Sequence, residues 1–213
     1  MNFQELNAYC SDRKVKLLAV SKTRSIEQIM SLYDQGHRDF GENRVQEWMD
    51  KQQDLPKDIK WHLIGHLQTN KLKYIIPGIH LIHSVDSLKL LRKIEEFSLN
   101  EQVITKVLLQ YKIAKEDSKY GIDPLNDLDI LEFCQSLKAT KIEGVMAMGT
   151  FTSDETVLKR EFKTLIDKFE ELKNGRFKGD LSFKIKSLGM SGDYKLAIDQ
   201  GSNLVRVGSL LFS

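Results

Sequence analysis

The sequence predicts an α/β protein built as a single (β/α)8 TIM barrel. Three observations point there. Eight short runs of apolar and β-branched residues recur along the 213 residues. Stretches with helical spacing separate them. The turn after the first run, Ser21-Lys22-Thr23-Arg24-Ser25, lacks the glycine fingerprint of an open, doubly wound nucleotide-binding sheet. Strand and helix alternating eight times closes into a barrel through right-handed crossovers.

The elements follow in order. Val15–Thr23 is the first strand; its near-continuous apolar run fits burial on both faces of a parallel sheet. Ser25-Ile26-Glu27-Gln28 is a capping-box pattern. It opens a helix whose face is Ile26, Ile29, Met30 and Tyr33, and Gly36 suits the left-handed position past its end. Asp39–Glu42 is the second strand. Asn43-Arg44-Val45-Gln46 repeats the capping pattern ahead of Val45, Trp48 and Met49. Lys60–Gly65 is the third strand, followed by a helix over Thr69–Ile76. Leu81–Val85 precedes a helix over Ser87–Phe97, and Thr105–Tyr111 precedes one over Asn126–Lys138. After the sixth strand, Lys141–Ala147, Thr152-Ser153-Asp154-Glu155 opens the longest helix. Leu158, Phe162, Leu165, Ile166, Phe169 and Leu172 recur there at three- and four-residue spacing. Phe183–Gly189 is the seventh strand. Ser191 is placed to cap a helix carrying Tyr194, Ala197 and Ile198, which Gly201 ends, and Leu204–Gly208 is the eighth strand. No glycine- or serine-rich linker interrupts the series, so one domain is expected over 1–213.

Composition excludes several classes. Hydrophobic residues are 41% and charged residues 29%, which rules out a disordered or collagen-like chain. Thirty-two Lys and Arg against 30 Asp and Glu leave a net charge of +2. That balance makes no case for nucleic acid or an anionic membrane as partner. Cys10 and Cys134 have no metal-ligand spacing and read as free thiols of a reducing compartment. No basic stretch leads into an apolar one at the N-terminus, and no apolar run approaches the ~18 residues a membrane helix needs. A cytoplasmic location is expected.

In such a barrel the chemistry sits at the C-terminal ends of the strands. Lys22 follows the first strand on the same side as Leu18 and Val20, which sets it at the barrel mouth. A solvated lysine is the plain reading. The functional one is a desolvated amine, kept neutral and nucleophilic, that forms a Schiff base. The last two strand ends, Gly189-Met190-Ser191-Gly192 and Arg206-Val207-Gly208-Ser209, occupy the usual phosphate position of this architecture, with helix N-terminal amides as expected donors. The same glycines would also make ordinary turns. Arg206 is placed to pair with an anion or to face a ring nitrogen. A Schiff-base lysine beside a phosphate grip suits either a phosphorylated sugar or pyridoxal 5′-phosphate (PLP), and these residues alone do not separate the two.

The chain resembles the pyridoxal phosphate homeostasis protein family, also called the proline synthase co-transcribed family. The likeness is carried by Leu17-Leu18-Ala19-Val20-Ser21-Lys22-Thr23, Phe40-Gly41-Glu42-Asn43-Arg44-Val45-Gln46-Glu47 and Trp61-His62-Leu63-Ile64-Gly65-His66-Leu67-Gln68-Thr69-Asn70-Lys71. It continues through His83-Ser84-Val85-Asp86-Ser87, Ser118-Lys119-Tyr120-Gly121, Gly144-Val145-Met146-Ala147-Met148, Leu188-Gly189-Met190-Ser191-Gly192-Asp193-Tyr194 and Gly201-Ser202-Asn203-Leu204-Val205-Arg206-Val207-Gly208-Ser209. The resemblance implies a barrel similar to the N-terminal domain of alanine racemase, the fold-type III PLP architecture. It implies that Lys22 holds the cofactor as an aldimine, that Ser191-Gly192 and Gly208-Ser209 bind its phosphate, and that Arg206 approaches the pyridine nitrogen. Asn43, at the second strand end, is expected as a further cofactor neighbour. The chain departs from the pattern in its short N-terminal helix, expected to cover the barrel floor less well, in lacking a proline near Ser25, and in ending on Ser213 rather than glycine.

The resemblance implies a carrier that contributes to intracellular PLP homeostasis and so affects amino-acid and keto-acid balance. Its partners would be PLP itself and PLP-accepting apo-enzymes. A monomer is expected, since the racemase dimerisation domain has no counterpart here. The alternative is a PLP-dependent amino-acid racemase, which needs a second base opposite Lys22; Tyr111, Tyr120 and Tyr194 are the candidates. His62 and His66 stand four apart, but the strand-like setting of His62 argues against a metal pair. Glu42 is read as structural support, Met146 and Met148 as packing, and Lys159, Arg160 and Lys163 as a solvated face. Lys71 and Lys119 receive no role.

Overall fold

The computed structural model describes residues 2–114 and 120–212. Eight parallel strands close into a barrel in chain order: β1 Lys16–Val20, β2 Asp39–Glu42, β3 Lys60–Leu63, β4 Leu81–Val85, β5 Thr105–Gln110, β6 Thr140–Met146, β7 Ile185–Ser187 and β8 Leu204–Val207. Closure comes from β8 pairing with β1, where Leu18 lies beside Arg206. The helices are α1 Phe3–Asp12, α2 Ile26–Asp34, α3 Val45–Asp54, α4 Leu72–Ile75, α5 Leu88–Asn100, α6 Leu128–Cys134, α7 Glu155–Asn174 and α8 Tyr194–Asp199. Among the described residues no helix is long and apolar enough to cross a membrane.

Strand alternation divides the apolar residues into two cores. Leu17, Ala19, Val107, Leu109 and Val205 face outward against helix residues such as Ile29, Leu91 and Phe162, forming the main core. Burying each such Val, Leu, Ile or Phe side chain contributes about 1.5–3 kcal/mol. A smaller cluster of Leu81, Leu108 and Met146, with Met148 and Ile185 packed against it, fills part of the interior. Gly144 sits where the β5–β6 register shifts. Its φ of +151° and the 2.0 Å between an added Cβ and the Ile185 carbonyl oxygen leave no room for a side chain.

Most predicted elements are present, with corrections at their ends. The first strand ends at Val20 rather than Thr23, because Thr23 turns to φ +61°. The seventh is Ile185–Ser187 only. Phe183 reads as strand because it is apolar, yet its ring stacks between Phe169 and Phe177 at 5.1 and 4.2 Å. The capping box at Ser25 forms as predicted, through Gln28. Asn43 caps nothing: α3 starts after Arg44 with no side-chain cap. Asp154 caps α7 through the Thr156 and Val157 amides. The predicted helix over 69–76 splits into a 3₁₀ turn, Thr69–Lys71, and α4. The short α1 buries Phe3, Leu6 and Cys10, and its Phe3 ring meets His37 edge-on at 5.3 Å, covering the floor beside β2.

Candidate functional site

The strand C-terminal ends surround a cavity of about 660 Å³. Its size suits one small ligand. All seven residues singled out from sequence line it: Lys22, Asn43, Ser191, Gly192, Arg206, Gly208 and Ser209. So do His66 and Tyr120, which lie within family motifs, and Arg24, Gln110, Thr150 and Phe151, for which the sequence carried no signal beyond their place on strand ends or the loops after them.

Lys22 corrects one expectation. It is exposed at the rim, not desolvated, because β1 ends two residues earlier and the turn lifts it clear of the barrel wall. The turn itself is held tightly. Lys51 of α3 donates to the Ser21 carbonyl at 2.8 Å and to Glu42 at 2.9 Å, while Glu47 accepts the Thr23 backbone N–H. Glu42 is fully buried and does not line the cavity, so it supports the turn. Burial pushes the Glu42 carboxyl up, against the hydrogen bonds from Ser21 and Lys51.

The opposite wall is made by the ends of β7 and β8. Ser191 is not a helix cap: α8 begins only after Asp193, and the Ser191 hydroxyl accepts the Gly208 N–H at 3.2 Å. The expected helix-terminal donors are therefore loop amides. Among the described residues, the backbone N–H groups of Ser191, Gly192 and Ser209 donate to no protein acceptor. At the mouth of β3, an added Cβ on Gly65 would lie 2.1 Å from the Asn43 carbonyl oxygen, so glycine there lets Asn43 border the cavity.

Arg206 is buried and donates Nη1 to the Ser187 carbonyl (2.8 Å) and hydroxyl (2.6 Å), and Nη2 to the Ala147 carbonyl (2.8 Å). Burial lowers its guanidinium pKa to about 10, still well above neutrality. Lys22, Arg24 and Arg206 against Asp193 give the lining an excess of cationic groups, which favours an anionic ligand.

The two histidines four apart do not converge. His66 stands at the rim, paired with Asp86 at 3.0 Å and stacked on Tyr120, while His62 lies inside the barrel against Asp39 and His83. Asp39, His62 and His80 bring ligand atoms within 4.8 Å of one another, but Lys16 Nζ sits 2.7 Å from Asp39 and supplies the positive charge there. Met146 packs in the interior; Met148 also borders the cavity. Lys159 and Lys163 make exposed pairs with Glu155 and Asp167. Lys119 and Ser213 lie outside the described residues.

The family model for "Alanine racemase, N-terminal domain" matches residues 1–213. A pyridoxal phosphate homeostasis protein of Helicobacter pylori (strain J99 / ATCC 700824) is 39% identical over 210 residues, covering 96% of this chain and 90% of its own. The chain belongs to the pyridoxal phosphate homeostasis protein family. Among solved structures, PipY of Synechococcus elongatus PCC7942 without PLP superposes with a TM-score of 0.90 at 33% identity, covering 99% of both chains. The form of PipY with PLP bound gives 0.88 at 32% identity, again over 99% of both. Alanine racemase of Clostridium difficile 630 matches at 0.75 and 16% identity over 56% of its length, a likeness of fold. The family's barrel is thus the architecture described above.

Proposed function

We propose that this cavity binds PLP, and that the protein is one barrel domain over 1–213 holding the cofactor reversibly as part of its homeostasis. One observation carries the reading. A primary amine, a buried arginine and three backbone N–H groups without protein acceptors share a single cavity whose lining is cationic. PLP presents the matching set: an aldehyde, a ring nitrogen and a phosphate. The PLP-bound form of the structurally similar PipY supports the same ligand.

The roles follow from position. Ser191, Gly192 and Ser209 receive the phosphate through their backbone amides and the Ser209 hydroxyl, while Gly208 lies beside it with its own N–H on the Ser191 hydroxyl. Arg206 offers an N–H to the ring nitrogen and, as a cation, keeps that nitrogen unprotonated, which weakens the ring as an electron sink. Asn43 borders the ring. When bound, the aldehyde carbon is open to condensation with the Lys22 amine, with loss of water. Borohydride reduction of the PLP-loaded protein followed by peptide mapping tests this. A reduced label on Lys22 is expected; a label on another lysine, or none, overturns it.

The protein acts as a carrier, a monomer in the cytoplasm that passes PLP to apo-enzymes. The free thiols Cys10 and Cys134 accord with a reducing compartment. The racemase reading draws on one observation: Tyr120 lines the cavity. Tyr111 instead donates to Asp127 at 2.7 Å in the core, and Tyr194 is buried edge-on to Tyr9. Tyr120 is 59% exposed, a poor setting for a base that must be held against one face of a substrate. Incubation with L- and D-amino acids in deuterated water is expected to give no saturable α-proton exchange; rapid exchange would favour the racemase.

A further inference from the structure

A line of polar side chains runs through the barrel interior, from its floor to Arg206. Lys16 Nζ lies 2.7 Å from Asp39 Oδ1 at the start of β2. The same oxygen is 3.1 Å from His62 Nε2 on β3. His62 Nδ1 is 2.8 Å from His83 Nε2 on β4, and His83 Nδ1 is 3.1 Å from Ser187 Oγ on β7. Strands β4 and β7 are three places apart around the ring, so this last bond crosses the lumen. Ser187 Oγ then receives Arg206 Nη1 at 2.6 Å.

The two ends dictate every proton between them. A guanidinium only donates, and a carboxylate only accepts. Asp39 is ionised: burial pushes its carboxyl up, but hydrogen bonds from His62 and Lys16 outweigh this and hold it far below the usual range. His62 must therefore carry its proton on Nε2. Burial keeps both histidines neutral, so His62 Nδ1 accepts and His83 Nε2 donates. His83 Nδ1 then accepts the Ser187 hydroxyl proton, which frees the Ser187 lone pairs for Arg206. With the other His83 tautomer, Ser187 would face two donors and its own proton would have no acceptor, a penalty that is large in a buried setting.

We propose that Asp39, His62, His83 and Ser187 form a one-way hydrogen-bond chain that positions Arg206, orienting its remaining N–H groups into the cavity. The three acceptors that hold the guanidinium are two carbonyls and a hydroxyl, none of them charged. The chain links this buried cation to the Asp39 carboxylate on the floor. Asp39, His62 and His83 touch neither the cavity nor its ligand and act through Arg206. The effect on a bound ring rests on the PLP reading above; the proton arrangement does not.

The arrangement is tested on ligand-free protein labelled with ¹⁵N-histidine. Long-range ¹H–¹⁵N spectra at pH 7 are expected to show His62 and His83 neutral, each with its proton on Nε2. A proton on Nδ1 of either ring, or a charged His83, overturns the chain. The coupling to Arg206 is tested by PLP titration of two variants. His83→Leu breaks the chain and is expected to weaken PLP binding about tenfold, a difference of about 1.4 kcal/mol, and shift the bound absorption band. His83→Gln can still accept from Ser187 and donate to His62, so it is expected to restore both affinity and band. If both variants match the wild type, the positioning role is wrong. If His83→Leu does not fold, His83→Gln and the wild-type tautomers decide. Failure of the wild type itself to bind PLP would sink the proposed function and leave the tautomer result standing.

Discussion

One oxygen of Glu47 accepts both the Thr23 backbone N–H and the Lys51 ammonium, and so ties the turn that bears Lys22 to α3. Thr23 is held there at φ +61°, a conformation that β-branched residues rarely adopt. The left-handed geometry costs about 1–2 kcal/mol for an L-residue.

Thr23→Gly removes that strain at a chain-entropy cost of about 0.5–1 kcal/mol. A stability gain of at most about 1.5 kcal/mol is expected in urea unfolding. PLP affinity should fall at the same time, because the turn no longer fixes the lysine. Higher stability with unchanged affinity would mean that the turn does not orient Lys22.

Lys51→Met leaves the buried Glu42 carboxyl without its cation, so it must either stay charged at a cost or take up a proton. Glu42 is 0% exposed, and its Oε2 has no partner. Removing one member of a buried pair costs about 3–5 kcal/mol. Adding Glu42→Gln should recover much of that loss, since the uncompensated charge goes with it. A double mutant no more stable than Lys51→Met would place the cost in packing instead.

The interior histidines make the fold acid-sensitive in a defined window. Burial lowers the pKa of His62 and His83, and takes His80 to about 4. Below about pH 6.5 the unfolded chain binds protons that the folded one refuses, so stability falls with pH there, by up to about 1.4 kcal/mol per pH unit for each such histidine. The loss runs downward from about 6.5 and, for His80, ends near 4. Asp39, whose pKa is depressed, adds its own loss only below the ordinary carboxylate range. Urea midpoints measured from pH 7 to pH 4.5 should drop steadily. His83→Gln should flatten the slope, and an unaltered slope would remove His83 from the titrating set.

The barrel was legible because its strands and helices differ in period and each βα unit repeats the contrast. The site's address was legible for the same reason: counting strands places Lys22, Asn43, Ser191 and Arg206 at one mouth. Caps were less so. Asn43 and Ser191 have capping side chains, but the Ser191 hydroxyl is taken up by the Gly208 amide, and α3 begins one residue past the position Asn43 would cap. The interior chain was in principle visible as polar residues at inward positions of five strands: Asp39, His62, His83, Ser187 and Arg206. Each on its own looks like an isolated polar residue in an apolar strand, and only barrel closure brings β4 to β7. Tyr120 and Phe151 lie on loops, where no period marks them.

Gly192→Ala separates ligand contact from fold. An added Cβ at Gly192 meets nothing within 4 Å, whereas one at Gly208 would stand 3.2 Å from the Val20 carbonyl oxygen. The Gly208 variant therefore perturbs the β1–β8 seam as well as the cavity. Gly192→Ala should leave stability within about 0.5 kcal/mol of wild type, as a surface change away from packing does. If a phosphate sits against the Ser191 and Gly192 amides, the methyl group intrudes on it. PLP binding, read by equilibrium dialysis, should then weaken about tenfold, a difference of about 1.4 kcal/mol. Free inorganic phosphate should compete with PLP in the wild type and do so less well in the variant. Unchanged PLP affinity in both Gly192→Ala and Ser209→Ala would move the phosphate grip away from the ends of β7 and β8.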